Sequence, residues 1–465
     1  MTQGHSIGRL VIIIYVKDDD GIWQKSSNAP TAKVASFKYK VPGKFTKKTS
    51  YKVYYPGKNG IQDKVTIPAE QSQVTPNTTE HFGVSGDCGT ATAQKVTGKH
   101  QFSFRLDHQA SILAFQPFVS NTKLVDGYVT KIEVTSDDDI TDTYELNSTT
   151  GELTGTGHGK KITLTTGGSG AYANGFSLNT MSANMSVNGA YMFIRPGRHT
   201  LTVRYWIKDI ATNVEGIITK TLCSFSYEKN TYYDMKDDLK VTDYSANNYY
   251  MWDAKKNYWD GYDWTYNHSE GVGQPVLNGK KASSYPKSKD DPRWYNEYSP
   301  NTNVKYDAAQ EHFKHLPNAN EIAWYCMKGD PHWDADKMWT TMGHLYKGGM
   351  WFLKKRKIPR YSTEHGPDNA TDLRIGWKEF RNDAPKPYLP GASVANDYFY
   401  LPALGYYTEG ELIKVGIVGY YWTSSGFPCD NGNERLAYSF GFSASTVRVT
   451  NSNRYRGFKV KTFGK

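Results

Sequence analysis

Apolar and polar residues alternate along several runs of the first 125 residues, which is the pattern of β-strands with one buried face. Each run is bounded by turns rich in proline, glycine and asparagine. The clearest runs are residues 50–57, 63–74 and 100–119. In the last of these, Phe102, Phe104 and Leu106 fall on one face, because successive side chains of a strand point to opposite sides.

The alternation continues from residue 126 to about residue 228. In one strand there, Leu201, Val203 and Tyr205 form one face, and the intervening residues form the other. Short strands with regular turns predict sheets that close over one another and so bury their apolar faces. We therefore predict two β-sandwich domains, at residues 1–125 and 126–228.

Residues 229–290 are rich in tyrosine and tryptophan, but these rings follow neither the strand period nor the helix period. We interpret this segment as a connector between domains. Its rings, Trp259 and Trp264 among them, either wedge two domains together or form a platform for a sugar or a partner.

Two helices are predicted near the start of the remaining chain, residues 291–465. Residues 307–316 carry an apolar stripe that ends before a proline. Residues 318–330 begin at an asparagine cap, Asn318 or Asn320, and stop at a glycine.

Strands follow these helices toward the end of the chain. In the run "RLAYSFGF", alternation places Leu436, Tyr438, Phe440 and Phe442 on one face. Helices followed by an antiparallel sheet predict an α+β domain. The predicted fold class is therefore mainly β, with two β-sandwiches ahead of one α+β domain.

Composition narrows the classes of partner. The formal net charge of the 465 residues is +10, but the lysines are dispersed among acidic runs, which argues against a nucleic-acid partner. The basic run at 354–357 indicates a solvated turn. No apolar run is long enough to form a membrane-spanning helix.

The four cysteines match no zinc-binding spacing, because no CxxC motif occurs. A disulfide between Cys326 and Cys429 is conceivable within one C-terminal domain. Free buried thiols are the other interpretation, since a chain of this size does not need disulfides to fold.

Residues 10–228 resemble the two-domain fimbrillin family, the surface pilus subunits of anaerobic gut and oral bacteria. The resemblance is carried by "YKVYYPG", "VTIPAEQSQVTPNTTEHFGVSGDCGTATA", "FSFRLDHQASILAFQPF" and "IRPGRHTLTVRYWIKD". The block from Asp107 to Ala110 is its most specific part.

Residues 290–465 resemble C-type-lectin-like surface domains. The motifs "LPNANEIAWY", "LPALGYY", "GYYWTSS" and the terminal "RGFKVKTF" occur in the order found in those domains. Together the two resemblances imply a fimbrillin-type region of two sandwiches joined to a lectin-like α+β domain.

The fimbrillin resemblance implies a lipoprotein that is exported through the outer membrane to the cell surface. It also implies assembly into a pilus (fimbrium) by donor-strand insertion, in which one subunit's strand completes another's sheet. This sequence shows no signal peptide or lipid-bearing cysteine, so we expect its start to be truncated or wrongly assigned. It carries a lectin-like domain where a polymerising subunit has its donor strand. We therefore predict a tip or minor pilus subunit that acts as an adhesin for a host or bacterial glycan or protein.

Lectin-like folds bind through loops beyond the core sheet, which here are residues 426–434 and 443–454. Amide and carboxyl groups in these loops can bond sugar hydroxyls, and arginines can pair with acidic groups. The candidate ligand-binding residues are Asp430, Asn431, Asn433, Glu434, Arg448 and Arg454, with Trp259 and Trp264 as stacking platforms.

Two other functions stay open at this point. One is a stand-alone surface glycan-binding protein for nutrient capture. The other is an enzyme on the formylglycine-generating scaffold, which needs a copper-binding cysteine pair that Cys326 and Cys429 do not clearly supply. Nucleophile motifs such as GxSxG and the calcium-lectin signatures Glu-Pro-Asn and Trp-Asn-Asp do not occur.

Metal and cofactor sites are not predicted. His332, Asp334 and Asp336 alternate on one strand face, but a structural zinc site needs four ligands, so we expect exposed polar positions there. We predict no enzymatic activity, no metal and no cofactor.

Overall fold

The computed structural model describes residues 12–31, 34, 36–147, 149–155, 157–262, 284–297, 305–428 and 435–464. The described chain is mainly β and contains several separate sheets. It divides into two compact units, Met1–Lys240 and Val241–Lys465. This boundary differs from the sequence prediction, which placed a connector at 229–290.

The described residues of the first unit form twenty strands, two short α-helices and one 3₁₀ turn at Gly170–Tyr172. The helices are α1 (Phe82–Ser85) and α2 (Met185–Asn188). The strands are β1 (Tyr15–Lys17), β2 (Trp23–Lys25), β3 (Ser50–Tyr55), β4 (Lys64–Ile67), β5 (Glu70–Gln73), β6 (Gly89–Lys95), β7 (Phe102–Ser103), β8 (Asp107–His108), β9 (Ser111–Phe115), β10 (Gly127–Ser136), β11 (Asp142–Leu146), β12 (Leu153–Thr154), β13 (Lys161–Thr166), β14 (Phe176–Ser177), β15 (Ala190–Ile194), β16 (Gly197–His199), β17 (Leu201–Asp209), β18 (Val214–Thr221), β19 (Phe225–Tyr227) and β20 (Thr231–Met235).

The first sheet of this unit has the strand order β2-β1-β3-β6-β7, and β8 pairs with the other end of β6. Its inner face buries a small cluster of Ile14, Val16, Tyr51, Val53 and Ala93. The predicted face of Phe102, Phe104 and Leu106 packs against this cluster, as the alternation indicated.

The remaining strands of the first unit do not form a separate second half. The large sheet has the order β18-β17-β10-β13-β5, and smaller sheets run β12-β11-β4 and β15-β9-β20. Strands β4, β5 and β9 come from the predicted first sandwich but pair with strands that follow residue 125. Residues on both sides of the predicted boundary therefore share sheets, because strand pairing joins segments far apart in sequence.

The second unit holds two α-helices, three 3₁₀ turns and twelve strands among its described residues. The helices are α3 (Glu311–Lys314) and α4 (Ala319–Lys328), and the 3₁₀ turns are Ala246–Asn248, Lys355–Lys357 and Ala392–Asp397. The strands are β21 (Thr242–Asp243), β22 (Tyr249–Tyr250), β23 (His332–Thr341), β24 (His344–Leu353), β25 (Phe380–Asn382), β26 (Tyr398–Pro402), β27 (Leu404–Thr408), β28 (Glu411–Val415), β29 (Val418–Gly426), β30 (Leu436–Ser443), β31 (Thr446–Asn453) and β32 (Phe458–Lys459).

Helix α4 matches the prediction at both ends. Asn318 caps it, and a capping box joins Asn318 to Glu321, while Gly329 ends it. The predicted helix at 307–316 is only one turn long. Its first residues are held outside the helix because the buried carboxylate of Asp253 accepts the N–H groups of Ala309 and Gln310.

The two sheets of the second unit run β21-β23-β24-β26 and β22-β32-β29-β30-β31-β25. Strand β27 pairs with β28 and touches β29, which completes an eight-stranded sheet. Tyr438, Phe440 and Phe442 point from β30 into the main core, as predicted. Strand β32 lies inside this sheet, next to both β22 and β29.

Part of the segment predicted to be a connector, between residues 246 and 259, contributes buried aromatic rings to the second unit. Tyr249, Trp252, Tyr258 and Trp259 are each at most 2% exposed. The indole N–H of Trp252 donates to the Thr423 carbonyl (3.0 Å). These four rings pack inside the second unit, and alternation along the sequence does not reveal that packing.

Candidate functional site

A groove with a volume of about 490 Å³ and several aromatic lining residues lies on the first sheet. One wall is the sheet itself, and the other is the non-strand segment 37–46. We call this site the first-sheet groove. Its lining residues are Ile14, Val16, Phe37, Lys38, Tyr39, Val41, Gly43, Phe45, Thr46, Tyr51, Val53, Ala93, Lys95, His100, Gln101, Phe102 and Phe104.

The groove stays open because neither of its long sides is a regular strand. Segment 37–46 is held to the β1–β2 hairpin by a few bonds, including Ser27 N–H to the Lys40 carbonyl (2.8 Å) and Asp19 N–H to the Lys44 carbonyl (2.9 Å). On the opposite side, β6 pairs only with the two ends of residues 102–108, through β7 and β8. Tyr39 and Phe104 approach across the gap, with ring centroids 6.0 Å apart.

Hydrogen bonds fix one end of the groove. Asp19 accepts bonds from the Thr46 and Lys47 N–H groups (2.7 and 3.0 Å) and from the Tyr51 hydroxyl. Burial acts to raise the pKa of Asp19, but these bonds outweigh it and lower that pKa well below its usual range. The carboxylate therefore stays charged and ties segment 37–46 to β3.

The groove combines an apolar floor with positive charge. Burial raises the pKa of Tyr39 to about 12, so its hydroxyl is neutral at ordinary pH. Lys38 and Lys95 are among the lining residues, and none of the described lining residues is acidic. Such a groove suits an extended chain segment that presents apolar side chains inward and acidic side chains at the edge.

Five of the eight predicted ligand-binding residues lie outside the described residues. They are Trp264, Asp430, Asn431, Asn433 and Glu434. Cys429 lies outside them too, so the proposed Cys326–Cys429 disulfide has no structural test. Cys326 itself is buried, and its thiol is within hydrogen-bonding distance of the Phe380 and Val447 carbonyls.

Two further predicted residues are buried, and the structure gives them packing roles. Trp259 is 2% exposed, and its ring packs against Tyr407. Arg454 is fully buried, where it donates to the Leu436 and Asn296 carbonyls (3.0 Å each) and stacks on Trp252. Arg454 thus holds distant segments of the unit together, and its guanidinium does not face solvent.

Arg448 is the predicted site residue that the structure leaves partly open to solvent. It lies on β31, and its guanidinium donates to the Tyr420 hydroxyl (2.6 Å). Sequence reasoning selected Arg448 and Arg454 together because both lie near one predicted loop. Their different burial, complete for Arg454 and partial for Arg448, is visible only in the folded structure.

The structure also exposes aromatic residues that sequence reasoning missed. Trp377 is 61% exposed and Tyr388 is 60% exposed. Neither falls in an alternating run, and the only available signal was an aromatic residue beside charged and turn-forming neighbours.

The alternating His332, Asp334 and Asp336 do not come together as ligands. His332 is buried rather than exposed, and its ring nitrogens contact the Tyr388 carbonyl (2.6 Å) and Asp330 (3.1 Å). Asp334 accepts bonds from Lys337 N–H and the Trp351 indole. Among the described residues, no group of three or more His, Cys, Asp or Glu side chains is arranged to hold a metal ion. None of the helices in that part of the chain is long and apolar enough to cross a membrane.

No protein-family model matches the sequence, and no curated protein matches it. Solved structures give weak likenesses. A candidate cell adhesion protein from Bacteroides ovatus is 12% identical with a TM-score of 0.29, covering 50% of this chain and 84% of that chain. A fimbrial protein from Bacteroides ovatus is 10% identical with a TM-score of 0.22, covering 98% of this chain and 94% of that chain.

A third likeness is to a candidate adhesin from Bacteroides thetaiotaomicron, with 10% identity and a TM-score of 0.18, covering 45% of this chain and 71% of that chain. These neighbours are described as adhesion or fimbrial proteins, and none of the three is described as an enzyme. Identities and TM-scores this low do not establish the fold or the function of the present chain.

Proposed function

We propose that this chain is a cell-surface adhesin that joins a pilus as a tip or minor subunit and performs no catalysis. The first unit attaches it to the pilus, and the second unit, with a lectin-like fold, presents a ligand-binding surface. The observation that carries the proposal is the first-sheet groove, an apolar slot between the face of the first sheet and the irregular segment 37–46.

The groove has the chemistry of an acceptor for β-strand addition. In that mode of binding, main-chain hydrogen bonds supply affinity and alternate side chains fill pockets. Phe45, Phe102 and Phe104 line such pockets, and the edge residues between β7 and β8 lie outside regular pairing. The positive rim at Lys38 and Lys95 favours an inserted segment with acidic residues at its outward positions.

The described C-terminal segment of the second unit is not a free strand. Residues 458–464 are integrated into its fold: β32 lies between two strands, and Phe463 packs in the main core. Lys355 N–H also donates to the Gly464 carbonyl (3.1 Å). The described C-terminal segment therefore stabilises its own unit, which supports a subunit that accepts a strand and donates none.

Groove filling tests this proposal. Ala93 is 4% exposed in the groove floor, so Ala93→Trp places a large ring where the inserted segment would lie. Thr92→Trp is the matched control, because Thr92 is on the same strand but faces away, toward Lys52. Tagged variants are expressed in the native bacterium, and pili are purified and probed for the tag.

We expect the wild-type chain and Thr92→Trp to co-purify with pili, and Ala93→Trp to be lost from them while remaining folded at the cell surface. Equal recovery of all three proteins in the pilus fraction would contradict strand addition at this groove. A wild-type chain that binds glycans but never co-purifies with pili would instead favour stand-alone glycan capture.

A further inference from the structure

One row of residues crosses four neighbouring strands on the outer face of the eight-stranded sheet. Tyr420 of β29 lies opposite Gly441 of β30, Gly441 lies opposite Arg448 of β31, and Arg448 lies opposite Arg381 of β25. Directly opposed residues share a face of the sheet. Their neighbours Tyr421, Phe440 and Val449 point into the main core, so this row points to the opposite face, where Tyr420 packs half-buried against a smaller core.

The absence of a side chain at Gly441 leaves room for the Tyr420 ring to lie beside Arg448. A Cβ at residue 441 would lie 2.9 Å from the Tyr420 ring, so that ring lies directly over the glycine. From there the Tyr420 hydroxyl accepts the hydrogen bond from Arg448. Gly441 therefore places one aromatic face beside one guanidinium.

A second aromatic ring and a second arginine extend this surface. The Tyr406 ring meets Tyr420 edge to face, with centroids 5.2 Å apart, and Phe458 stacks against Tyr420 at 4.8 Å. The guanidinium of Arg456 lies 5.5 Å from the Tyr406 ring. Tyr406, Tyr420, Arg448 and Arg456 are all half-buried, and we call these four residues the arginine–tyrosine face.

The charge on this face is not balanced by the described residues. At its edge, Arg381 donates through Nε to both oxygens of Asp383 (2.7 and 2.9 Å), so that arginine is neutralised. Within the described chain, no carboxylate lies in ion-pair distance of Arg448 or Arg456. The buried Nε of Arg456 also has no hydrogen-bond partner there. Partly desolvated donors without an acceptor are costly, which makes an anionic ligand favourable at this place.

We propose that the arginine–tyrosine face binds a saccharide that carries a carboxylate, such as a uronic acid or a sialic acid. The planar guanidinium matches a carboxylate in two hydrogen bonds, and a tyrosine face packs against the C–H groups of a sugar ring. This proposal rests on the proposed function and deepens it, because it names the class of ligand that the second unit of the adhesin would bind.

The test uses the full chain and immobilised oligosaccharides that end in glucuronic acid or sialic acid. The same oligosaccharides with the carboxylate converted to its methyl ester are the ligand control. Arg448→Gln removes the charge and the fork of donors. Arg356→Gln, on the exposed turn Lys355–Lys357, is the matched protein control because it makes the same change in net charge.

We expect binding to the acids and not to the esters. Arg448→Gln should weaken it about tenfold to a hundredfold, the range for losing hydrogen bonds to a charged group, and Arg356→Gln should leave it unchanged. If Arg448→Gln lowers the melting temperature, Arg448→Lys is the deciding variant for ligand binding. It keeps the positive charge but lacks the paired N–H donors of the guanidinium. It should also bind more weakly.

Equal binding of acid and ester, or equal binding by wild-type and Arg448→Gln proteins, overturns the proposal. So does equally tight binding to polyglutamate or to dextran sulfate, because this would indicate an acidic peptide or any polyanion. Pilus recovery of Arg448→Gln is measured in parallel. Normal recovery without acid binding by the wild type would refute this inference and leave the proposed function intact.

Discussion

The first sheet and the core of the second unit both contain buried aromatic residues, but the first sheet keeps an open groove over its apolar face and the second unit covers its own. Both bury aromatic side chains on the inner face of a sheet, Tyr51 in the first sheet and Phe440 and Phe442 in the eight-stranded sheet. In the second unit, Trp252 and Tyr258 come from a non-strand segment and are fully buried over the sheet strands. Over the first sheet, segment 37–46 covers only part of the apolar face and leaves about 490 Å³ open. Alternation of apolar and polar residues thus produces an apolar sheet face, and the packing of the non-strand segments determines how much of that face is covered.

Breaking the closed core should have the largest effect. Trp252→Ala removes a fully buried ring that donates to Thr423 and supports Arg454. We expect the free energy of unfolding of the second unit to fall by about 3–5 kcal/mol. Trp377→Ala is the control, because that ring is 61% exposed and its loss should cost about 0.5 kcal/mol or less. Urea denaturation followed by far-UV circular dichroism measures both changes, and equal losses would contradict a sealed core around Trp252.

A charged group inside the closed core sharpens the comparison. Burial, with a smaller contribution from the charge of the nearby Lys461, lowers the pKa of Lys459 to about 7. The unfolded chain, with a lysine pKa of about 10.4, therefore binds more protons between those two values, so stability rises with pH across this window.

Lys459→Met removes this dependence. From pH 7 to 9.5 we expect the wild-type chain to gain about 3 kcal/mol in unfolding free energy relative to the variant. Urea midpoints at the two pH values give the difference. The same pH profile for both proteins would show that the ammonium group is solvated in the folded state.

The open groove should tolerate truncation better than the closed core. Phe104→Ala shortens a groove residue that is only partly buried, so we expect a loss of about 1 kcal/mol in unfolding free energy. Thermal melting of the first unit measures it. A loss as large as that from Trp252→Ala would mean that the groove is sealed in solution.

A buried ion pair beside the first sheet should give the smallest effect. The His108 ring contacts the Asp87 carboxylate (2.5 Å), and the charge of Asp87 raises the pKa of His108 despite the opposing effect of burial. The stabilisation is therefore complete below the unfolded-state pKa of about 6.5 and is lost as the pH rises through the raised value. His108→Gln should cost about 0.5 kcal/mol at pH 6 and less at pH 9. A loss independent of pH would point to packing alone.

Local features of the fold could be predicted from the sequence, and contacts between distant segments could not. The caps of α4 and the inward face of β30 depend on neighbouring residues, so their patterns are visible along the chain. The packing of Trp252 against Arg454 joins residues about two hundred positions apart, and no periodicity records it. For the same reason Arg448 and Arg454 look equivalent in the sequence, yet only Arg448 reaches the surface.

The groove was foreseeable only in part. Alternation predicted the apolar face of Phe102, Phe104 and Leu106, and the fimbrillin resemblance implied strand addition. The irregular path of segment 37–46 depends on Asp19 and on contacts with the β1–β2 hairpin. The sequence therefore indicated an apolar sheet face without showing which edge stays open.

Site-specific photo-crosslinking tests the central claim most directly. A benzophenone amino acid replaces Phe45 in the groove, and in the control it replaces the 59% exposed Ile22. After irradiation of pili from the native bacterium, mass spectrometry identifies the attached peptides. We expect residue 45 to capture an extended, alternating apolar and acidic segment of another pilus subunit, and residue 22 to capture none. Crosslinks from residue 45 only to this chain's own residues would contradict the account.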